Sequence, residues 1–285
     1  MKLVIVSGLS GSGKSTALNV LEDLGYYSID NLPLALLSSF ADYMSGTAQK
    51  FYERVAVGID ARNRSEDLHY FPAILNGLQN GEIQTEVIFL DAAEDILIKR
   101  FSETRRKHPL TNDHVSLSEA IRQERVLLDP ISARADLYID TSTSNLHELR
   151  DLVTLRVVGK VGGGMSLLFE SFGYKHGLPQ DADFVFDLRS LPNPHWNAQL
   201  RQHTGKEIPV IEFLETHADV HAMFKDIRDY LERWLPRIAA SNRSYLTVAV
   251  GCTGGYHRSV YMVERLVAHF STAYQNTLVR HRELP

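Results

Sequence analysis

The sequence predicts an α/β protein of two domains, the first built on a parallel β-sheet that carries a phosphate-binding loop. In the first half, short apolar and β-branched runs alternate with helical patterns, which is typical of parallel βαβ units. The chain has 285 residues, more than one core of about 100 to 200 residues usually accommodates. The third observation is that Gly8–Ser15 fits the pattern G-x-x-x-x-G-K-[ST] directly after the apolar residues 3–6.

The first domain is predicted to span residues 1–153, with strands and helices alternating. Gly25 ends the first helix, Pro33 opens the second, Ser65 precedes the third, and Ser116 with Glu119 forms a capping box for the fifth. Strands are predicted at residues 2–7, 26–30, 55–60, 86–91 and 136–141, and helices at 14–24, 33–44, 65–79, 93–107, 116–128 and 145–153.

The second domain is predicted to span residues 154–285 and is also α/β. The glycine-rich segment 159–164 starts a new pattern and indicates the change of domain. Strands are predicted at residues 154–158, 183–188, 208–212, 245–250 and 276–281, and helices at 166–172, 217–235 and 258–273.

Composition narrows the class of protein. The chain is 44% hydrophobic and 23% charged, as in ordinary globular proteins, and its formal charge of −5 argues against nucleic-acid binding through overall charge, although a local basic patch stays open. One cysteine excludes an intramolecular disulfide, and no apolar run reaches the roughly 18 residues of a membrane span. Ser7 and Gly8 interrupt the apolar start before it could serve as a signal sequence. We therefore expect a cytoplasmic protein without a membrane partner.

The first glycine loop predicts ATP binding. Backbone N–H groups of such a loop and of the following helix start converge on phosphate oxygens. Lys14 would neutralise the β- and γ-phosphates, and the hydroxyl of Ser15 would hold Mg²⁺. The alternative is a glycine-rich turn that binds nothing. The predicted ATP-binding residues are Gly8, Leu9, Ser10, Gly11, Ser12, Gly13, Lys14 and Ser15.

Two further strands are predicted to deliver acids to the same sheet edge, where ligands of open α/β sheets lie. Asp30 either contacts the acceptor hydroxyl of a small-molecule kinase or, with Asn31, caps the next helix. Asp60 could order Mg²⁺ through water, and the side chains of Asp60–Asn63 could read a purine edge; the alternative is a turn and a helix start.

A cluster of cations is predicted near the end of the fourth helix. It could form the lid with which P-loop kinases clamp a phosphoryl group, or it could only stabilise the helix dipole. The residues concerned are Arg100, Arg105, Arg106 and Lys107.

A second glycine loop in the C-terminal half also predicts an anion site. Cys252 and Arg258 have the C-x5-R spacing of cysteine phosphatases, for which Asp187 is a possible general acid. Alternatively the loop only binds a phosphate, with Cys252 as a small buried side chain, or it is purely structural. His195 and His257 could line the pocket.

Taken together, the motifs resemble those of the RapZ/YvcJ family of nucleotide-binding proteins over essentially the whole chain. The resemblance rests on Gly8–Ser15, Asp60–Asn63, Met165–Gly173, Asp187–Pro194 and Gly251–Ser259. It implies ATP binding at the first segment, GTP binding at Asp60, Ala61, Arg62 and Asn63, and slow hydrolysis of both nucleotides. It also implies that the second domain resembles phosphofructokinase and binds glucosamine-6-phosphate. The residues for that ligand are His195, Cys252, Thr253, Gly254, Gly255, His257, Arg258 and Ser259.

Members of this family that act as RNase adapters bind small regulatory RNAs and present them to RNase E, in the control of amino-sugar synthesis. The resemblance implies RNA binding at the C-terminal residues Arg280, His281 and Arg282, and a homo-oligomer is also expected. This chain departs from the family where Glu283 follows those residues instead of a lysine-rich cluster, and where Tyr256 replaces a lysine of the glycine loop. Two hypotheses stay open: a regulatory adapter, or an enzyme of the kinase or phosphatase class.

Overall fold

The computed structural model describes residues 1–45, 53–63, 65–79, 83–158, 164–241 and 243–284. It divides into two compact units, Met1–Thr154 and Leu155–Pro285. Of the glycine-rich segment predicted at the domain change, residues 159–163 lie outside the described residues. The predicted α/β class is confirmed, since each unit contains a parallel sheet.

The first unit has a five-stranded parallel sheet in the order β2-β3-β1-β4-β5. Its strands are β1 (Lys2–Gly8), β2 (Tyr27–Ile29), β3 (Arg54–Gly58), β4 (Gln84–Asp91) and β5 (Leu137–Asp140). Its helices are α1 (Lys14–Asp23), α2 (Leu37–Ser45), α3 (Ser65–His69), α4 (Phe71–Gln79), α5 (Glu94–Thr104), α6 (Leu117–Ser132) and α7 (Leu146–Val158), which continues into the second unit.

The strand order places the phosphate-binding loop at the centre of the sheet edge. β1 lies between β3 and β4 and is buried along almost its whole length, as its unbroken apolar run predicts for a strand covered on both faces. Because all the strands are parallel, the residues after β1, β2 and β3 emerge at one edge. Residues 8–15, Asp30 and Asp60 are therefore neighbours there.

The second unit has a four-stranded parallel sheet in the order β7-β8-β6-β9. The strands are β6 (Ser166–Gly173), β7 (Phe184–Asp187), β8 (Tyr245–Cys252) and β9 (Thr277–His281). The helices are α8 (Ile208–Glu215), α9 (Ala218–Ala240) and α10 (Arg258–Phe270), and α10 begins six residues after the end of β8. None of the helices in the described part of the chain combines the length and the apolar character needed to cross a membrane.

Three predicted elements are wrong. Residues 154–158 continue α7 rather than forming a strand, because Leu149, Val153 and Val157 fall on one buried helical face. Residues 166–172 form the central strand β6, buried on both faces, and such a short apolar run cannot be told from a buried helix by periodicity. Residues 208–212 belong to α8, where Pro209 is accommodated in the first turn.

The predicted helix 65–79 is also divided. Pro72 would lie in its interior, where proline removes a hydrogen bond and clashes with the preceding turn. The chain instead ends α3 at His69 and starts α4 at Phe71, so that Pro72 lies in a first turn. Similarly, the predicted helix 33–44 consists of a 3₁₀ turn, Leu34–Leu36, followed by α2.

Candidate functional site

The phosphate-binding loop connects β1 to α1 through glycines that no other residue can replace without strain. Gly13 has φ 105°, and a Cβ there would lie 2.4 Å from Leu149 Cδ2. A Cβ on Gly8 would lie 2.3 Å from the carbonyl oxygen of Leu90. The loop therefore depends on glycine both for its turn and for its close approach to β4.

The N–H groups at the start of α1 are available for an anion. Gly13 precedes the helix without a side-chain cap, and the first turn carries no acidic residue. The first N–H groups of an α-helix have no carbonyl partner within the helix. This end of α1 consequently combines unpaired donors with the positive end of the helix dipole, which favours phosphate.

Lys14 is held by two carboxylates at the mouth of the loop. Its Nζ lies 2.7 Å from Asp60 Oδ2 and 3.2 Å from Asp30 Oδ1. Arg62 also donates to Asp60, with Nη2 2.6 Å from Oδ2. Burial raises the pKa of Asp60, but the hydrogen bonds from Arg62 and Lys14 outweigh burial and lower it to about 2. An ionised Asp60 therefore lies directly beside the lysine of the loop.

The segment predicted to bind GTP, Asp60–Asn63, lies beside Lys14 of the phosphate-binding loop. Asp60 contacts Lys14, whereas Ala61 is buried. The Asn63 amide is engaged with the backbone, since Nδ2 donates to the Asp60 carbonyl at 3.0 Å and Oδ1 accepts from Leu34 N–H at 2.6 Å. Asn63 could contact a purine base only if it gave up these hydrogen bonds. The remaining candidates in this segment for contact with a ligand are Asp60 and Arg62.

Arg100 does not lie in a lid. Its guanidinium donates to the carbonyl oxygen of Gly11 at 3.0 Å and to the hydroxyl and carbonyl of Thr141 at 2.9 and 2.6 Å. It therefore supports the phosphate-binding loop from outside. The other three predicted cations, Arg105, Arg106 and Lys107, are exposed, and their side chains form no ion pair within the part of the chain that the structure describes.

The sequence analysis missed two buried side chains behind this loop, Glu124 and His108. Glu124 accepts hydrogen bonds from Ser10 and lies 2.9 Å from His108 Nε2. A signal was present, because Glu124 is the single acid on the buried stripe of α6 formed by Ala120, Ile121, Leu128 and Ile131.

Mg²⁺ has a suitable but incomplete donor set near the loop. Ser15 is exposed in the first turn of α1, and Asp60 and Asp30 lie across from Lys14. Mg²⁺ keeps several waters and needs only one or two protein ligands beside phosphate oxygens, so these residues fit it. Among the described residues there is no cluster of three or more His, Cys, Asp or Glu side chains that could bind a metal by itself.

In the second unit, the glycine loop between β8 and α10 opens a pocket of about 400 Å³. Six predicted residues line it: His195, Cys252, Thr253, Gly254, His257 and Arg258. The structure adds Lys175, Asn193, Arg201 and Tyr256 to the lining. Two other predicted residues, Gly255 and Ser259, are buried and not part of the lining.

Two side-chain nitrogens of residues that line this pocket are buried and have no hydrogen-bond partner among the described residues. They are Nε2 of His257, a residue that is 7% exposed, and Nε of Arg258. Burial lowers the pKa of both groups, so the imidazole is neutral at physiological pH. Buried polar atoms are normally hydrogen-bonded. Both nitrogens lie below the surface of the pocket, beside the start of α10.

The geometry is unfavourable for a cysteine phosphatase. The Arg258 guanidinium donates to the carbonyls of Arg189 and Leu191 at 3.0 and 2.8 Å and to the Thr253 hydroxyl at 3.3 Å, so it is already engaged with the protein around the loop. The hydrogen bonds from Arg189 also lower the pKa of Asp187, the possible general acid. An acid held in its ionised form has no proton to give to a leaving group. Cys252 is 3% exposed, and its Sγ accepts from the N–H of Gly255 at 3.3 Å.

The predicted RNA-binding cations are turned inward. Arg280 Nη1 lies 3.2 Å from the buried carboxylate of Glu170, and Arg282 Nε lies 3.9 Å from the same group. His281 contacts Ser171 at 2.8 Å and Glu264 at 2.9 Å. These side chains thus stabilise β9 against β6 and α10, which leaves them poorly placed to meet phosphates of an RNA.

Comparison with known proteins assigns both units. The family model described as RapZ-like N-terminal domain matches residues 1–161, and that described as RapZ C-terminal domain matches residues 165–285. A protein of Pseudomonas putida (strain GB-1), named as a nucleotide-binding protein, is 55% identical over 284 residues, covering 100% of both chains. One of Methylococcus capsulatus with the same description is 54% identical over 285 residues, covering 100% of this chain and 97% of that one.

Among solved structures, a gluconokinase from Sinorhizobium meliloti 1021 is 20% identical, with a TM-score of 0.36 over 53% of this chain and 89% of the other. Shikimate kinase from Acinetobacter baumannii is 16% identical, with a TM-score of 0.34 over 56% of this chain and 94% of the other.

Proposed function

The chain belongs to the RapZ family of nucleotide-binding proteins, and we propose that it is a two-site regulator, with a nucleoside triphosphate in the first unit and a phosphosugar in the second. One observation carries the proposal. Each unit has a glycine loop that leads from a central buried strand into a helix start with unpaired N–H groups. A protein that responds to two ligands needs two anion sites of this kind, whereas a protein that transfers a phosphoryl group needs only one.

The two segments predicted for ATP and GTP form a single site in this proposal. The 2.7 Å ion pair between Lys14 and Asp60 supports it, because the two segments meet at one lysine. A bound triphosphate would take Lys14 from the carboxylates, and Asp60 would then order Mg²⁺ through water together with the hydroxyl of Ser15. ATP and GTP would compete for this site, and slow hydrolysis of both nucleotides is part of the proposal.

The test uses Lys14→Ala in the full chain. Loss of the loop's own side-chain cation removes a charge-assisted contact of about 3 kcal/mol, so we expect the affinity for ATP to fall about a hundredfold by calorimetry. Lys99→Ala, on the exposed face of α5, is the matched control and should leave the affinity unchanged. If Lys14→Ala bound ATP as tightly as the wild type, the nucleotide would be held elsewhere.

The pocket of the second unit is proposed to bind glucosamine-6-phosphate or a related hexosamine phosphate. Its lining supplies cations from Lys175 and Arg201, N–H groups at the start of α10, and the neutral imidazole of His257 as a hydrogen-bonding partner for the sugar. None of the described residues that line it is a carboxylate, which favours an anionic ligand.

Calorimetry with glucosamine-6-phosphate and with inorganic phosphate tests this assignment. His257→Asn should weaken binding, whereas His269→Asn, at the other end of α10, should not. A chain that binds none of the hexosamine phosphates would have no sensor function.

The output of the regulator is proposed to be the adapter role of its family, the presentation of small regulatory RNA to RNase E. Since the cations of β9 face inward, the exposed Lys175 and Arg201 at the pocket are the better candidates for phosphate contacts. Filter binding of small RNAs at two salt concentrations, with and without glucosamine-6-phosphate, tests the role. Loss of either cation should weaken binding and reduce its salt dependence. Unchanged binding would place the RNA elsewhere.

We further propose a cytoplasmic homo-oligomer. The kinase alternative is retained for the first unit because its parallel sheet carries a phosphate-binding loop and because Arg105, Arg106 and Lys107 are exposed. Transfer of labelled γ-phosphate to a small hydroxyl compound would establish the kinase, and release of inorganic phosphate alone would exclude it.

A further inference from the structure

A buried carboxylate lies directly behind the phosphate-binding loop. Glu124, on α6, is fully buried together with His108. Its oxygens meet three donors: the Ser10 N–H at 2.9 Å, the Ser10 hydroxyl at 2.7 Å and His108 Nε2 at 2.9 Å. A buried carboxylate is tolerated only when donors satisfy its oxygens, and these three donors do so. The surroundings of Glu124 therefore require an acid.

The contact with Ser10 fixes the loop at its third residue. Both donors of Ser10 face Glu124, while the next two carbonyls are held by Arg100, which reaches Gly11, and by Thr141, whose hydroxyl lies 3.0 Å from the Ser12 carbonyl. The backbone is thus tied from outside over three consecutive residues. The N–H groups at the start of α1 are left to face the ligand side.

The contact with His108 extends the same support to a second segment. The N–H of Leu110 donates to His108 Nδ1 at 3.1 Å, so the proton of the neutral ring is on Nε2 and points to Glu124. His108 directly follows the exposed cations at residues 105–107. A single carboxylate therefore connects the loop with the cationic segment.

We infer that Glu124 is a positioning residue of the nucleotide site, which acts through Ser10 and His108 without touching the nucleotide. The inference rests on the proposed nucleotide site of the first unit. Preorganised loop geometry matters because binding energy is lost when the donors must be ordered by the ligand. A competing effect is charge repulsion between Glu124 and the phosphates, which would make the carboxylate a hindrance.

The first test is Glu124→Gln in the full chain, with ATP binding measured by calorimetry. Glutamine offers one acceptor oxygen and an NH₂ group, so at least one of the three donors loses its partner. We expect about a tenfold weaker affinity, equivalent to about 1.4 kcal/mol. Glu119→Gln is the control: it weakens the capping box of the same helix but should change ATP affinity less than about twofold.

A double-mutant cycle separates positioning from a general loss of structure. Ser10→Ala removes only the hydroxyl contact, should fold normally because Ser10 is only partly buried, and should weaken ATP binding about threefold. Glu124→Gln should then have a smaller effect in the Ser10→Ala background, because the two substitutions share one interaction.

Three results would overturn the inference: unchanged affinity in Ser10→Ala, fully additive effects, or tighter ATP binding by Glu124→Gln, as repulsion requires. Melting temperatures identify a variant that fails to fold, and in that case Ser10→Ala decides alone. Absence of ATP binding in the wild type and in Glu119→Gln alike would instead refute the proposed function, and this inference with it.

Discussion

The substitution Asp60→Asn probes the point at which the two predicted nucleotide segments meet. In the folded chain the hydrogen bonds from Arg62 and Lys14 outweigh burial and hold the pKa of Asp60 at about 2, against an ordinary value of 3.8. This difference corresponds to about 2 kcal/mol of folding free energy at neutral pH. Asparagine keeps the shape of the side chain but gives up the charge, so the free energy of unfolding should fall by about that amount.

The pH dependence gives the sign of the effect. Because the folded-state pKa of Asp60 lies below the unfolded value, the stabilisation is present above about pH 4 and is lost as the pH falls through about 2. The stability difference between wild type and Asp60→Asn should therefore shrink to about half at pH 3. Urea unfolding at pH 7 and pH 3 measures it, with the exposed Asp95→Asn as the control. Equal stabilities at pH 7, or a difference that does not shrink in acid, would refute the reasoning.

The same variant tests the role of Asp60 toward the nucleotide. Mg²⁺ raises the affinity of the wild type for ATP in this account. In Asp60→Asn, which lacks the carboxylate, this gain should be smaller by a factor of at least about ten, in line with the loss of a charge-assisted contact. Affinity for ATP without Mg²⁺ should be unchanged or higher, because Lys14 is freed from its closest carboxylate. A Mg²⁺ effect equal to that of the wild type would remove Asp60 from the site.

Three further substitutions have defined outcomes. Gly13→Ala places a Cβ 2.4 Å from Leu149 at φ 105°, so nucleotide binding should be lost and the melting temperature lowered, as calorimetry would show. Arg280→Ala leaves Glu170 buried without its closest cation. The free energy of unfolding, measured with urea, should fall by about 3 kcal/mol at pH 8. The loss should be smaller at pH 5, because burial raises the pKa of Glu170 and protonation removes its charge. Cys252→Ser should leave binding of hexosamine phosphate within about threefold, and we expect no aryl phosphate hydrolysis in either the wild type or this variant. A wild-type activity lost in this variant would restore the phosphatase hypothesis.

The sequence was sufficient for features that depend on local patterns. The apolar runs of β1, β3 and β4, the loop glycines and the start of α1 all follow from short stretches of chain, and the structure places Lys14 and Asp60 at one sheet edge as the strand positions predict. The sequence predicted a helix for β6 because periodicity cannot distinguish a short buried strand from a buried helix, and its polar residues Glu170 and Ser171 gave no sign of their partners. Both are buried, and their partners Arg280 and His281 lie 110 residues away.

Long-range partners determine the direction in which several of the candidate site residues point. The sequence indicates a basic tail at Arg280, His281 and Arg282. In the structure these side chains point inward, because their acceptors lie on β6 and α10. Arg100 belongs to a cationic run in the sequence, yet it supports the loop through Gly11 and Thr141. Local spacing carries no information about such contacts, because tertiary packing selects them.

The most direct test of the account is the stoichiometry of nucleotide binding. Equilibrium dialysis of the full chain with labelled ATP, in the presence of increasing GTP, measures whether Lys14 and Asp60 serve one site or two. The proposal predicts one nucleotide per chain, complete displacement of ATP by GTP, and loss of both in Lys14→Ala. Binding of ATP and GTP to the same chain at once, or GTP binding that survives Lys14→Ala, would contradict it.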